Sequence, residues 1–157
     1  MSKRVKSALV WLKNILDSEH VEYQIVGGLA ATIHGSLREI ADIDLYIHNN
    51  DAHKILPHVA PFISKPLTHY VGYGWDLDYF QLIYNDQKIE IGLSENSKIQ
   101  SANDGSWHDL KINFSQSNAI DYLGLRLPVM PIQQLVAYKK ILAREVDLID
   151  IRELGFN

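Results

Sequence analysis

Two carboxylates stand two positions apart in the stretch "YQIVGGLAATIHGSLREIADIDLYI", residues 23 to 47. Side chains at positions i and i+2 of a β-strand leave the same face, so Asp42 and Asp44 can converge on one cation. Oxygen ligands of this kind suit Mg²⁺ or Mn²⁺. Mg²⁺ usually takes one or two carboxylates and completes its shell with water and substrate phosphates. The pair therefore predicts a divalent-metal site on a strand.

A glycine pair just before these carboxylates predicts phosphate binding. Gly27 and Gly28 end an apolar run and precede a short helical stretch, so backbone N–H groups at the helix start can face an anion. Arg38 is a candidate for a bidentate phosphate contact. Each feature alone is more commonly a tight turn, a solvated strand face or a surface charge. Their order and spacing favour phosphoryl or nucleotidyl transfer.

A third carboxylate lies in the later stretch "KIEIGL". Alternation along a strand places Glu90 on the face opposite its apolar neighbours. Grouped with Asp42 and Asp44, it would form a cluster in which like charges raise one another's pKa unless a cation is bound. Glu90 is therefore a further candidate for metal binding or for proton transfer.

The pattern around these residues predicts an α+β domain, with one mixed β-sheet, helices packed on one side of it and C-terminal helices. Apolar spacing predicts a helix over residues 3 to 18, with Ser2 as a candidate cap. The other predicted elements are strands over 22–26, 42–47, 78–84, 88–93, 110–114 and 122–129, a short helix ended by Gly35, a helix over 51–63 interrupted by Pro57 and Pro61, a loop over 94–109, and helices from Pro131 to Arg144 and over 146–154.

The composition is typical of one globular domain over residues 1–157, with 46 % hydrophobic and 22 % charged residues. The absence of cysteine excludes disulfides and thiolate metal sites. No apolar run reaches the roughly 18 residues of a membrane span, and the N-terminal stretch predicts a helix and no signal peptide. A net charge of −4 disfavours a broad nucleic-acid surface. A cytoplasmic location is the expectation.

With its motifs in this order, the chain resembles the nucleotidyltransferase superfamily with the polymerase-β-type fold. That pattern is a glycine turn, then Asp-x-Asp, then a third carboxylate on a later strand. The likeness is greatest to the small lincosamide and aminoglycoside nucleotidyltransferases, and it covers nearly the whole chain. The matching segments are Gly27-Gly28, Arg38-Glu39, Asp42-Ile43-Asp44, Ile89-Glu90-Ile91 and "LIDIREL".

The resemblance implies a role for each matching residue. Asp42 and Asp44 would be metal ligands, the two glycines would hold the triphosphate, and Glu90 would be a metal ligand or the base. Two positions depart from the pattern. Ile40 stands where the antibiotic-modifying relatives have histidine, and Glu90 stands where they have aspartate. The antibiotic acceptor is therefore not carried over with the site.

The function expected is metal-dependent transfer of a nucleoside monophosphate from an NTP to a hydroxyl of a small molecule, with an antibiotic-like acceptor as one option. One alternative is a nucleotidyltransferase-type toxin that acts on tRNA or protein, although the acidic balance disfavours RNA. Another is a non-catalytic module that binds a nucleotide or a partner. A homodimer is an expectation drawn from the relatives.

An aromatic stretch is a candidate acceptor surface. Residues 69 to 80, "HYVGYGWDLDYF", place aromatic rings among Asp76 and Asp78. Rings beside carboxylates suit a cationic amine, but packing of the hairpin is the commoner role of such rings and is the favoured interpretation here. The stretch 107–109 is a weaker candidate. Lys139 and Lys140 could reach phosphate from the C-terminal helix, but the favoured interpretation is that they are surface lysines.

Overall fold

The computed structural model describes residues 3–156, so the predicted cap at Ser2 lies outside them. Helices and strands alternate at the start of the chain, strands dominate the middle, and two helices close it. The helices are α1 Lys3–Ser18, α2 Gly27–His34, α3 Ala52–Val59, α4 Ile132–Leu142 and α5 Glu145–Glu153. The strands are β1 Tyr23–Val26, β2 Asp42–Ile47, β3 Ile63–Gly72, β4 Trp75–Tyr84, β5 Gln87–Leu93, β6 Lys98–Gln100, β7 Trp107–Asp109, β8 Asn118–Tyr122 and β9 Leu125–Val129.

The strands form one mixed sheet, so the predicted α+β class is confirmed. Its order is β7-β6-β4-β5-β2-β1-β9-β8, with β3 paired to β4 off this path. The β2–β5 and β1–β9 pairs are parallel, and the other strand pairs are antiparallel. Strand β2 therefore lies inside the sheet, where both neighbours fix its register.

The apolar face of β2 packs into the main core. Ile43, Leu45 and Ile47 are almost completely buried. Helix α1 contributes a buried stripe at helical spacing, and Leu12 and Leu16 line a small apolar recess with Leu45. Burial of one such side chain contributes about 1.5–3 kcal/mol. This packing holds β2 with its alternate residues, including both aspartates, on the other face.

Several predicted elements agree with the structure within a few residues. These are the first helix, the strands over 22–26 and 42–47, the helix ended by Gly35, the hairpin of β4 and β5, and the two C-terminal helices. Pro57 does not interrupt α3, which continues to Val59, and a 3₁₀ turn over Ala60–Phe62 follows it. The predicted helix therefore ends before residue 63, where β3 begins.

Strand β3 was not predicted. It carries Pro66 and has an irregular register against β4 around Lys65, and most of its residues are exposed. Proline lacks the N–H that a central strand donates, but an edge strand can accommodate it. A strand with one free edge, a proline and little burial lacks the alternation on which a sequence-based assignment depends.

The predictions for residues 94–129 were partly wrong. The segment 94–109, predicted as loop, contains β6 and β7. The segment 110–114, predicted as a strand, is irregular and leads into a 3₁₀ turn, Phe114–Gln116. Leu110 and Phe114 are nevertheless buried, so these apolar side chains pack in the core although the segment is not a regular strand. The segment 122–129 spans a hairpin turn between β8 and β9.

No helix within residues 3–156 is long and apolar enough to cross a membrane.

Candidate active site

A cavity of about 430 Å³ opens on the face of β2 that carries the aspartates. Its volume lies in the range of small-molecule sites, which is about 300–1,000 Å³. Every site residue that the sequence predicts lines this one cavity: Asp42, Asp44, Glu90, Gly27, Gly28 and Arg38. The structure thus brings together residues that lie up to about sixty positions apart in the sequence.

The parallel pairing of β2 with β5 brings the three carboxylates together. Asp44 pairs with Glu90 across the ladder, and Asp42 pairs with Lys88. Paired residues on neighbouring strands project to the same face, and residues two apart on one strand do so as well. Both relations hold here, so the three carboxylates share one face of adjacent strands.

Burial and mutual repulsion shift the titration of this cluster. Burial first, and then the charges of Glu90 and Asp42, raise the pKa of Asp44 to about 7. Arg144 and Lys139 act in the opposite direction but do not compensate. The pKa of Glu90 is also raised, first by burial. A half-buried carboxylate with a raised pKa in a cleft is typical of a functional site.

Lys88 is the cation that the sequence analysis missed. Its Nζ atom lies 3.3 Å from Asp42 Oδ2 and 4.0 Å from Glu90 Oε1. Because Lys88 precedes Glu90 by two positions on β5, the alternation of the strand could have placed it on the same face. It offsets the charge of the cluster in part.

The carboxylates fit Mg²⁺ or Mn²⁺ by their chemistry, although they are not a ready cage. Within residues 3–156, no three His, Cys, Asp or Glu side chains are already arranged to hold a metal ion. A cage of three is not required, because Mg²⁺ is commonly held by one or two carboxylates plus water and substrate phosphates. Asp42 and Asp44 would supply these ligands, and Glu90 lies beside them.

Each glycine of the pair lies very close to a side chain of the site, Gly27 to Asp44 and Gly28 to Arg38. A Cβ atom on Gly27 would lie 2.7 Å from Asp44 Oδ2, and the φ angle of Gly27 is +66°. A Cβ atom on Gly28 would lie 2.8 Å from Arg38 Nη2. Glycine is therefore required at position 27 by the backbone conformation, whereas at position 28 a side chain would displace the end of the Arg38 side chain.

The N-terminus of α2 faces the same cavity. Val26 at its N-cap position makes no side-chain capping hydrogen bond. The N–H of Gly27 donates to the Tyr138 hydroxyl at 2.8 Å, so this particular N–H is already bonded. The remaining first-turn N–H groups make this end of the helix a suitable place for an anion.

Arg38 and the C-terminal helices form a network of ion pairs beside the glycines. Arg38 donates from Nε and Nη2 to the two carboxylate oxygens of Asp150, at 3.0 and 2.8 Å. Burial raises the pKa of Asp150, but hydrogen bonds from Arg38 and Lys139 outweigh this effect and hold it below the usual range. Arg38 thus already has a bidentate protein partner, which the sequence analysis did not foresee.

Lys139 is buried, and its interpretation as a surface lysine was wrong. Its side chain is 1 % exposed, and Nζ lies 3.2 Å from Asp147 Oδ1 and 3.0 Å from Asp150 Oδ2. Those aspartates are three positions apart on α5, hence on one face of the helix. That spacing was a signal for a buried cation on the facing helix. Lys140 is exposed, as expected.

Four of the five rings in the stretch 69–80 form an aromatic wall of the cavity, which is compatible both with an acceptor surface and with the favoured packing role. Alternate residues of β4 face the cavity because side chains alternate along a strand. The rings that line it are Tyr70, Tyr73, Trp75 and Tyr79. Phe80, by contrast, is fully buried in the core, as a packing role requires.

The acidic residues of the same stretch do not reach the cavity. Asp76 and Asp78 flank His69, whose Nε2 and Nδ1 atoms lie 2.9 and 2.7 Å from their carboxylates. These carboxylates occupy the positions of β4 that alternate with the cavity-lining ones. The weaker candidate patch over Trp107–Asp109 is exposed and does not line the cavity either.

Comparison with solved structures identifies the fold. A candidate nucleotidyltransferase from Thermotoga maritima matches over 97 % of this chain and 93 % of its own, with 22 % identity and a TM-score of 0.70. The lincosamide antibiotic adenylyltransferase LnuA, solved with lincomycin, matches over 93 % of each chain, with 14 % identity and a TM-score of 0.61.

A third structure extends the comparison. ANT(2'')-Ia in complex with adenylyl-2''-tobramycin matches over 96 % of this chain and 90 % of its own, with 15 % identity and a TM-score of 0.58. No family model and no curated protein sequence matches the chain. At these identities the likeness establishes the fold: the chain has the nucleotidyltransferase fold, and its structural neighbours include antibiotic adenylyltransferases, as the sequence resemblance predicted.

Proposed function

We propose that this protein is a metal-dependent nucleotidyltransferase, which moves a nucleoside monophosphate from an NTP to a hydroxyl of a small molecule. The observation that carries the proposal is the position of Asp42, Asp44 and Glu90 in one cavity with the Gly27-Gly28 turn. The carboxylates suit Mg²⁺, and the turn suits phosphate. Together they provide the two halves of a site for phosphoryl chemistry.

In the reaction, the acceptor hydroxyl oxygen forms a bond to the α-phosphorus of the NTP. The bond from that phosphorus to the α,β-bridging oxygen breaks, and pyrophosphate leaves in line. Glu90 takes the proton of the hydroxyl, a role that its raised pKa favours. Mg²⁺, held by Asp42 and Asp44, would neutralise phosphate charge.

The aromatic wall supports a small-molecule acceptor. It lies in the same cavity as the carboxylates, and rings of this kind stack against rings or the apolar faces of sugars. Two structural neighbours were solved with lincomycin or with adenylyl-tobramycin, so the fold accommodates acceptors of this size.

We further infer that residues 1–157 form one domain and that the protein is a homodimer. We also infer a cytoplasmic location, which the absence of cysteine favours.

Thermal unfolding with each NTP and Mg²⁺ tests the nucleotide site without knowledge of the acceptor. Ligand at about 100 times its dissociation constant should stabilise the wild type by roughly 2.7 kcal/mol. Asp44→Asn should abolish this stabilisation because a metal ligand is lost. Asp78→Asn is the matched control, since Asp78 pairs with His69 outside the cavity, and it should retain the stabilisation.

Transfer is then measured as pyrophosphate release with lincomycin, tobramycin and uncharged sugar alcohols as acceptors. Metal-dependent release that Asp44→Asn removes would support the proposal. An Asp44→Asn variant with full activity would overturn it. Stabilisation by an NTP without pyrophosphate release from any acceptor would indicate a nucleotide-binding protein instead of an enzyme.

A further inference from the structure

Two arginines from distant parts of the chain line the candidate site in the same manner. Arg38 lies in the loop after α2, and Arg144 lies at the N-cap of α5. Their side chains are 27 % and 42 % exposed, and each is paired with a fully buried aspartate. Arg38 is held by Asp150, and Arg144 is held by Asp147.

The two ion pairs use the same edge of the guanidinium group. Arg144 donates from Nε to Asp147 Oδ2 at 2.7 Å and from Nη2 to Asp147 Oδ1 at 3.1 Å. Arg38 donates from Nε and Nη2 to Asp150 in the same way. Within residues 3–156 the Nη1 atom of neither arginine donates a hydrogen bond. A bidentate pair fixes the guanidinium plane, so each arginine keeps its outer edge for a ligand.

The two aspartates are in turn held in place by a buried lysine. Lys139 lies between them, with Nζ within 3.2 Å of a carboxylate oxygen of each. Three cations thus surround two buried anions, and the two cations that are partly exposed are the arginines. The arrangement orients positive charge towards the cavity without leaving a buried carboxylate unpaired.

The position of the arginines indicates which ligand they face. Arg38 Nη2 lies close to Gly28 at the start of α2: a Cβ atom at position 28 would be only 2.8 Å from it. The Arg144 guanidinium lies 5.8 Å from the centre of the Trp75 ring, and its charge acts on Asp44. The arginines therefore flank the glycine turn and the acidic cluster, where the phosphates of a nucleotide would lie.

We propose that Arg38 and Arg144 form a clamp for the polyphosphate of the nucleotide, and that Asp147 and Asp150 are positioning residues that orient the clamp. The inference rests on the proposed function, because it assigns the leaving pyrophosphate of that reaction to this side of the cavity. The two planar guanidinium groups would stabilise the negative charge that develops on the pyrophosphate as it leaves.

Tripolyphosphate is the probe, since it carries the phosphates but needs neither a base nor an acceptor nor turnover. Its binding to the full chain is measured by calorimetry with Mg²⁺. Arg38→Ala and Arg144→Ala should each weaken binding about tenfold or more, because a hydrogen-bonded ion pair is lost. Arg126→Ala is the matched control, since its pair with Asp121 is exposed in the β8–β9 hairpin, and should leave affinity unchanged.

A double-mutant cycle tests the positioning role. Asp150→Asn should weaken tripolyphosphate binding several-fold in the wild type but have no further effect in the Arg38→Ala background. An equal loss in both backgrounds would mean that Asp150 acts on the fold alone, and this would overturn its assignment. If Asp150→Asn does not fold, Arg38→Lys replaces it, because lysine keeps the charge but cannot form both bonds, and it should lose part of the affinity.

The outcomes separate the clamp from the proposed function. Unchanged affinity in both arginine variants overturns the clamp, even if the protein transfers nucleotides. A wild type that transfers nucleotides but binds no tripolyphosphate also overturns it. A wild type that binds tripolyphosphate through both arginines but transfers no nucleotide supports the clamp and contradicts the proposed function.

Discussion

Two charged clusters border the same cavity, and their contrast is informative. The acidic cluster consists of Asp42, Asp44 and Glu90. The paired network consists of Arg38, Lys139, Arg144, Asp147 and Asp150. In the first, Asp44 and Glu90 have raised pKa values, with burial as the main cause. In the second, the pKa of Asp150 is lowered because hydrogen bonds outweigh its burial. Each aspartate of the network has two cationic partners, whereas the charge of the acidic cluster is compensated only in part, by Lys88.

This difference indicates what each cluster is for. A carboxylate group that stays unpaired lowers the stability of the metal-free protein, so it is suited to a cation that comes from outside. A buried network in which each carboxylate has two cationic partners is suited to holding side chains in place. The first cluster is thus a candidate for binding a metal cation directly, whereas the buried members of the second orient the two partly exposed arginines.

Removal of the central cation of the network should have the largest effect on stability. In Lys139→Met, two buried aspartates lose the cation between them. Loss of one partner from a buried ion pair costs about 3–5 kcal/mol. We expect the lower end of this range, about 3 kcal/mol, because each aspartate keeps an arginine. Urea unfolding measures the change.

Lys140→Met is the matched control for this variant. Lys140 is the next residue on α4 but is exposed, so its substitution should change stability by less than about 0.5 kcal/mol. Equal effects of the two substitutions would show that the network is not the stabilising element that its geometry suggests.

The glycine turn should give the next largest effect. Gly27→Ala requires an alanine at φ +66° and places Cβ 2.7 Å from Asp44 Oδ2. The backbone conformation alone costs about 1–2 kcal/mol, and the close contact adds to this. Gly124→Ala is the control, since its φ is +79° and a Cβ atom there meets nothing within 4 Å.

The difference between these two alanine variants isolates the contact with Asp44. Gly27→Ala should be the more destabilising in thermal unfolding, and it alone should weaken NTP-dependent stabilisation, because it displaces a candidate metal ligand. Equal destabilisation by both would indicate that Asp44 moves aside freely, and that the acidic cluster is not fixed by the turn.

Titration of Asp44 should give a smaller effect with a defined sign. Its pKa is about 7 in the folded protein, whereas an unfolded aspartate has a pKa of about 4. Between these values only the folded form binds the proton, so the metal-free protein loses stability as the pH rises from about 4 to about 7. Below this window both forms are protonated, and the penalty is absent.

Asp44→Asn should remove this pH dependence. Its gain in stability over the wild type should be near zero at pH 4, grow as the pH rises to about 7 and reach its full size by about pH 8 without metal. Asp121→Asn, at an exposed ion pair, should show no such trend. A gain that is the same at every pH would mean that packing at residue 44, and not its charge, causes the strain.

The two clusters also differ in how far sequence could predict them. The acidic cluster follows from local rules, because Asp42 and Asp44 share a strand face by their spacing alone. Glu90 required only the correct assignment of β5 as a strand. Their convergence depended on the β2–β5 pairing, which the family resemblance supplied and local spacing did not.

Local rules could indicate only one part of the paired network, the two aspartates that share a face of α5. Arg38 and Asp150 lie 112 positions apart, and only the packing of α5 against the loop after α2 joins them. Lysine at position 139 is buried only because two aspartates on the facing helix compensate its charge. The aromatic stretch was recognised as a candidate surface, but its place in the cavity could not be predicted, since β3 and the start of β4 were not assigned as strands.

The smallest predicted effect concerns Lys88, the one cation that directly contacts the acidic cluster in the described part of the chain. Its pairs with Asp42 and Glu90 are partly exposed, so Lys88→Met should lower the stability of the metal-free protein by only about 0.5 kcal/mol. The same substitution removes a positive charge that competes with Mg²⁺. The Mg²⁺ concentration needed for NTP-dependent stabilisation should therefore fall about twofold to fivefold.

Lys98→Met is the control for Lys88→Met, because Lys98 forms an exposed pair with Asp109 outside the cavity. It should change neither the stability nor the Mg²⁺ requirement in this way. A higher Mg²⁺ requirement in Lys88→Met would show instead that Lys88 helps to bind the nucleotide, and that the acidic cluster is less dependent on an external cation than its pKa shifts imply.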